Sequence, residues 1–156
     1  MLGKFQADPG PTQWKYLQHL VRYLIATPEH GLYLKADQGR ATLQAYSDAD
    51  WAREEEKRRS RSGYVLYINS SPIIWSSKLQ TATAQSTAEA EFFALHSVVR
   101  EVSRVRDILR ELGEHQRSPT VVYQDNLGTI SWTDNVQGLR KVKHIGVKYH
   151  YVRSKV

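Results

Sequence analysis

The segment from Ser86 to Gly113 constrains the fold more than any other part of the chain. It opens with Ser86-Thr87-Ala88-Glu89, a capping box in which Ser86 caps the first turn and Glu89 is expected to reach back to the N–H of the cap. The apolar residues that follow recur at steps of three and four: Leu95, Val98, Val102, Val105, Leu109 and Leu112. This pattern predicts one long amphipathic helix, which ends near residue 112 and packs its apolar stripe against a sheet or other helices.

One acidic residue interrupts this apolar stripe. The step that precedes Leu95 falls on Glu91, whereas Glu89 lies on another face of the helix and has the local capping role. A carboxylate on a core-facing stripe has a desolvation cost, and such residues are usually paired, metal-bound or catalytic. Glu91 is therefore a candidate site residue.

Four short segments rich in β-branched, aromatic or alternating apolar residues predict strands at 43–48, 63–68, 73–77 and 120–125. Turn residues at 69–72 join the second and third into a hairpin. The first strand ends in Asp48 and the fourth in Asp125. If these two strands are parallel neighbours under the long helix, both aspartates meet Glu91 at one sheet edge, where ligands bind in open α/β sheets. Close carboxylates repel one another without a hard cation, so this edge predicts a divalent metal site.

The remaining segments define the domain organisation. Residues 12–26 predict a helix with Thr12 as its N-cap, and residues 35–40 read as a loop. Residues 1–40 are therefore interpreted as an appendage, and residues 41–156 as the main domain. After the fourth strand, Asn126 either caps a short helix or contacts a substrate backbone. A final amphipathic helix is predicted at 143–153.

Charge and composition narrow the possible partners. The 156 residues carry a formal net charge of +6 and no cysteine, which excludes a disulfide framework and a cysteine-based zinc finger. No apolar run approaches the roughly 18 residues of a membrane helix, so no membrane partner is expected. Two basic groups fit either a solvated face or a polyanion such as nucleic acid. They are Arg53, Lys57, Arg58, Arg59 and Arg61, and Arg140, Lys141 and Lys143.

Six motifs, in order along the chain, resemble the ribonuclease H domain of copia-type LTR retrotransposon Pol polyproteins. They are YSDADW at 46–51, RRSRSGY at 58–64, PIIWSSK at 72–78, STAEAEFFAL at 86–95, VYQDN at 122–126 and KHIGVKYHYVR at 143–153. Residues 13–32 resemble the segment that connects this domain to the reverse transcriptase. The resemblance covers nearly the whole chain, and several long motifs in register are far more specific than any one of them.

The resemblance implies a ribonuclease-H-like mixed sheet in which strands 1–3 are antiparallel and strand 4 is parallel. It implies metal-dependent cleavage of the RNA strand of RNA–DNA hybrids, with Asp48, Glu91 and Asp125 as catalytic metal ligands. Two Mg²⁺ or Mn²⁺ ions are expected in the complete site. The implied partners are a hybrid or other duplex and the reverse transcriptase domain of the same polyprotein. The implied location is the cytoplasmic retrotransposon particle or the nucleus.

The sequence departs from the family pattern in two places. Gly146 stands where the family usually has an acidic residue. The family also continues into a further strand and a helix that carries a fourth metal-binding Asp, whereas this sequence ends at Val156. We therefore expect hybrid binding with weak or absent cleavage, and an open edge on strand 4 that favours self-association. The alternative is a catalytically impaired hybrid- or duplex-binding module. An integrase or transposase is disfavoured, because those enzymes place their Glu last among the acidic residues.

Overall fold

The computed structural model describes residues 2–35, 39–51, 59–134 and 146–156. The chain divides into two compact units, residues 1–33 and 34–156. The first unit contains a 3₁₀ turn, Leu2–Phe5, and helix α1, Pro11–Ala26, no residue of which is buried. The helix predicted at 12–26 is present, but Thr12 is not its N-cap. Gly10 holds that position, because Pro11 already has the fixed φ that suits the first helical turn. The interpretation of residues 1–40 as a tether stays a prediction.

The second unit is built on a mixed sheet. Its described strands are β1 (Leu43–Asp50), β2 (Arg61–Ile68), β3 (Ser71–Leu79) and β4 (Val121–Tyr123), in the spatial order β3-β2-β1-β4. β1, β2 and β3 pair antiparallel, and β4 pairs parallel to β1. The predicted fold class is confirmed: this is the ribonuclease-H-like mixed sheet with flanking helices.

The ends of the strands differ from the predicted ones. β1 continues two residues past Asp48, because Asp50 at its end pairs with Arg61 of β2. Asp48 therefore lies within the strand rather than closing it. β4 is shorter than predicted and ends at Tyr123, so Asp125 follows the strand by two residues. β3 begins at Ser71, which leaves a tight turn whose first residue, Asn69, has a φ of 54°.

Helix α2, Thr87–Glu111, lies across one face of the sheet. Ser86 is its N-cap, and the Ser86 hydroxyl accepts a hydrogen bond from the N–H of Glu89 at 3.2 Å. The other half of the capping box differs from the prediction, because the Glu89 carboxylate accepts from the N–H of Gln85, one residue before the cap, at 2.8 Å. Glu89 is also buried, so the core-facing surface of the first turns is wider than the predicted stripe.

The stripe of α2 forms the centre of the core. Leu95, Val98, Val102, Val105 and Leu109 are all buried, together with Ala45 and Leu66 of the sheet. Leu112 is wrongly assigned to this stripe: it is 73% exposed, because the helix ends one residue before it and Gly113 turns the chain with a φ of 83°.

Two short helices follow β4 in the described part of this unit: α3 (Leu127–Asp134) and α4 (Gly146–Arg153). Tyr149 and Val152 anchor α4 in the core. The first three residues of the helix predicted at 143–153 lie outside the described residues. None of the helices in the described ranges has the length and apolar character needed to cross a membrane.

Candidate metal centre

Three different elements bring three carboxylates together. Asp48 comes from β1, Glu91 from the beginning of α2, and Asp125 from the segment after β4. β4 lies parallel to β1, and α2 packs across β1 and β2. In this arrangement one oxygen of each of the three side chains lies within 4.8 Å of the others. The structure thus places the three residues that the sequence analysis selected in one cluster.

The chemistry of this cluster fits a hard divalent cation. All its donors are carboxylate oxygens, the ligands that Mg²⁺ and Mn²⁺ prefer. Asp48 and Asp125 are exposed, whereas Glu91 is only 4% exposed. The cluster therefore has a fixed, buried side and an open side that a cation and a substrate could reach.

Glu91 has an unusual protonation equilibrium. Burial is the main cause that raises the pKa of Glu91 from 4.5 to about 7, and the nearby charges of Asp48 and Asp125 raise it further. Hydrogen bonds from the Gln124 amide and the backbone of Ala49 oppose this rise. Near neutral pH the carboxyl group is thus close to half protonated, and a bound cation would favour its charged form.

Replacing Glu91 by Gln should change how stability depends on pH. Because the folded pKa of Glu91 lies above its unfolded value, its contribution to stability is complete below pH 4.5 and is lost as the pH rises through 7. Between pH 5 and pH 8, without divalent metal, wild type should lose about 2–3 kcal/mol more unfolding free energy than Glu91→Gln. Urea denaturation in EDTA at both pH values measures this difference, and parallel pH profiles for the two proteins would contradict it.

Gln124 is a residue of the site that the sequence analysis did not select. Its Nε2 donates to the Ser47 hydroxyl and to Oε2 of Glu91, both at 3.2 Å. Its Oε1 accepts from the N–H of Asn126 at 3.1 Å. The only signal in the sequence is the position of Gln124 beside Asp125.

Asn126 has a clear local role. Its Oδ1 accepts from the N–H of Thr129 at 2.9 Å, which caps the first turn of α3. This is one of the two roles that the sequence left open. Contact between Asn126 and nucleic acid stays a prediction.

The face of the sheet opposite α2 carries an apolar row beside the carboxylates. Trp75, Val65, Tyr46 and Tyr123 pair in register across the four described strands. The rings of Tyr46 and Tyr123 stack with centroids 4.7 Å apart. These residues, with Asp48 and Asp125, line a cavity of about 740 Å³. The alternation in β1 predicts that Tyr46 and Asp48 share a face. The positions of Val65, Trp75 and Tyr123 in this row depend on strand register, which the sequence alone does not give.

The structure describes two of the predicted basic residues. Arg61 begins β2 opposite Asp50, two residues from the Gly63 that pairs with Asp48, and its Nη1 donates to the Ser77 carbonyl at 3.3 Å. Arg59 is half-buried in the preceding segment. The other predicted phosphate contacts lie outside the described residues: Arg53, Lys57, Arg58, Arg140, Lys141 and Lys143.

A ribonuclease-H-like sheet with three converging carboxylates defines the class of this protein: an α/β domain with a candidate metal centre.

No protein-family model matches the chain. Similarity to individual proteins indicates the family instead. The chain is 36% identical over 155 residues to the retrovirus-related Pol polyprotein from transposon RE2 of Arabidopsis thaliana, which covers 99% of the chain and 11% of the polyprotein. It is 34% identical over 156 residues to the corresponding polyprotein from transposon TNT 1-94 of Nicotiana tabacum, covering 100% of the chain and 12% of that protein.

A third relative is not a polyprotein. The chain is 43% identical over 102 residues to the secreted RxLR effector protein 161 of Plasmopara viticola, which covers 65% of the chain and 70% of the effector. The chain therefore belongs to a family of sequences that includes this effector and regions of retrotransposon Pol polyproteins. It spans about a tenth of the length of the polyproteins that it matches.

Proposed function

We propose that this chain is a ribonuclease H-type phosphodiesterase, which cleaves the RNA strand of RNA–DNA hybrids during retrotransposon reverse transcription. The observation that carries the proposal is the cluster of Asp48, Glu91 and Asp125 on a ribonuclease-H-like sheet. One oxygen from each of the three carboxylates lies within 4.8 Å of the others. The similarity to Pol polyproteins over the whole chain supports a role in a retroelement.

Each carboxylate has a part in this proposal. Asp48 and Asp125 are exposed and would hold Mg²⁺ or Mn²⁺ on the side that faces substrate, while the buried Glu91 would hold it from the side of α2. Bound divalent metal would supply an activated water and charge stabilisation at the leaving oxygen. The chain's own residues provide the carboxylate ligands. Arg61, two residues from the Gly63 that pairs with Asp48, provides a positive charge on the neighbouring strand.

A cleavage assay tests the proposal directly. A hybrid labelled on its RNA strand should be cut at a low but measurable rate by the chain in Mg²⁺ or Mn²⁺ and left intact in EDTA. Only the RNA strand should be cut, because its 2′-hydroxyls distinguish it in the minor groove of the hybrid. Duplex DNA and single-stranded RNA of the same sequence are the matched controls. Equal cleavage of duplex DNA would contradict the proposed substrate.

The alternative is a binding module that does not cleave. The resemblance implies four metal-binding carboxylates, and three converge among the described residues. Three carboxylates could hold one ion beside a bound hybrid, whereas cleavage needs charge stabilisation at both the attacking and the leaving oxygen. Tight hybrid binding without product in either metal would establish this alternative.

Phosphate contact by Arg61 should appear in the salt dependence of binding. Replacing Arg61 by Ala should reduce the slope of log affinity against log salt concentration by about one, because one phosphate contact releases about one counterion. The control is Arg104→Ala, which removes an arginine of α2 that pairs with Glu101. Fluorescence anisotropy of a labelled RNA–DNA hybrid, at several salt concentrations, measures the slope for both variants. An unchanged slope for Arg61→Ala would assign Arg61 to a structural role only.

The proposal extends to partners and location. The reverse transcriptase domain of the same polyprotein would deliver the hybrid, and the cytoplasmic retrotransposon particle or the nucleus would be the place of action. β4 is an edge of the sheet formed by the described strands, and an unpaired edge favours pairing with a second chain. Self-association through β4 is therefore part of the proposal.

A further inference from the structure

We propose that Gln124 is a positioning residue, which sets the geometry of the carboxylate cluster by tying three separate elements to one side-chain amide. This inference rests on the proposed metal site and adds a residue to it. The amide contacts Ser47 of β1, Glu91 of α2 and the backbone of Asn126 before α3.

The direction of each hydrogen bond makes the arrangement specific for an amide. Two acceptors, the Ser47 hydroxyl and the Glu91 carboxylate, share Nε2, and one donor, the N–H of Asn126, binds Oε1. A carboxylate at position 124 could not donate to Glu91, and an apolar side chain could make none of the three bonds. Only a side chain with a donor at one atom and an acceptor at the other satisfies all three partners.

The contacts act on the cluster from both sides. Together with the hydrogen bond from the backbone of Ala49, the bond from Gln124 fixes the orientation of Glu91, the buried carboxylate of the cluster. The bond to Asn126 closes a short turn around Asp125, the residue between Gln124 and Asn126, and so fixes the backbone that carries Asp125. The bond to Ser47 anchors the amide to the strand that carries Asp48. One side chain therefore relates the positions of all three carboxylates.

Replacing Gln124 by Met should weaken Mn²⁺ binding by the folded chain about tenfold or more, the loss typical of a removed outer-shell partner. The control is Gln116→Met. Gln116 also bonds through both ends of its amide, to the N–H of Leu43 at 3.1 Å and to the carbonyl of Ala41 at 2.6 Å, but it lies at the opposite end of β1. Both variants should lose stability, and only Gln124→Met should lose metal affinity. Titration followed by the electron paramagnetic resonance of free Mn²⁺ measures the affinity.

Each outcome is decisive. If wild type binds Mn²⁺ and Gln124→Met binds it with equal affinity, the positioning role is overturned and the proposed function stands. Absence of Mn²⁺ binding by wild type would overturn both. If Gln124→Met does not fold, Ser47→Ala is used in its place. Ser47→Ala removes the hydroxyl that accepts from the Gln124 amide and leaves the bond from Gln124 to Glu91. It should weaken Mn²⁺ binding a few-fold, and unchanged affinity would overturn the inference.

Discussion

Replacing Asp48 by Asn should lower metal-dependent cleavage of an RNA–DNA hybrid by about a thousandfold or to below detection, since several kcal/mol of charge stabilisation depend on the bound cation. The substitution leaves a neutral amide, a much weaker ligand for a hard cation, in the place of a carboxylate. Asp48 is exposed, so the variant should fold like wild type. Initial rates in Mg²⁺ and in Mn²⁺, at equal concentrations of folded protein, measure the effect.

The matched control for this variant is Asp107→Asn. Asp107 is an exposed carboxylate of α2 that pairs with Arg110, and it is not a member of the cluster. Its loss should leave the cleavage rate within about twofold of wild type, because an exposed ion pair contributes little. Cleavage by Asp48→Asn at the rate of wild type would show that the carboxylate cluster is not the active site.

The largest effect on stability should come from replacing Phe92 by Ala, which we expect to cost about 3–5 kcal/mol of unfolding free energy. Phe92 is fully buried on α2. Its ring lies 6.0 Å from that of Tyr149 in α4 and 5.9 Å from that of Trp132 in α3. The truncation would leave a cavity where three helices meet and remove one of the contacts that hold α4.

Urea denaturation followed by circular dichroism measures this loss. Ile108→Ala is the control on the same helix, because Ile108 is 42% exposed and should cost much less. A cost for Phe92→Ala no greater than that for Ile108→Ala would mean that the helices do not pack around Phe92. A large cost would also explain a loss of metal binding in that variant, because Phe92 is the neighbour of Glu91 in sequence.

The sequence by itself determined the long helix and its acidic residue. The capping box and the steps of three and four place Glu91 on the buried side of α2, and both follow from the fixed geometry of a helix. The alternation in β1 likewise places Tyr46 and Asp48 on one face. The parallel pairing of β1 with β4 was predicted as a condition for the site, and the structure confirms it. The helix stripe and the strand alternation depend on local spacing, which a sequence records directly, whereas the pairing of β1 with β4 was only a condition that the fold had to meet.

Only the tertiary structure decided the features that depend on pairing between distant segments. β1 runs on to Asp50 because β2 pairs with it to the end, and nothing within residues 43–50 alone indicates this. The burial of Glu89 depends on what packs over the first turns of α2. The role of Gln124 is set by partners 77 and 33 residues away in the chain, Ser47 and Glu91, and no local pattern marks such a residue. A side-chain amide bridge forms wherever the fold brings donor and acceptor together, so its members are identified only once strand register and helix packing are known.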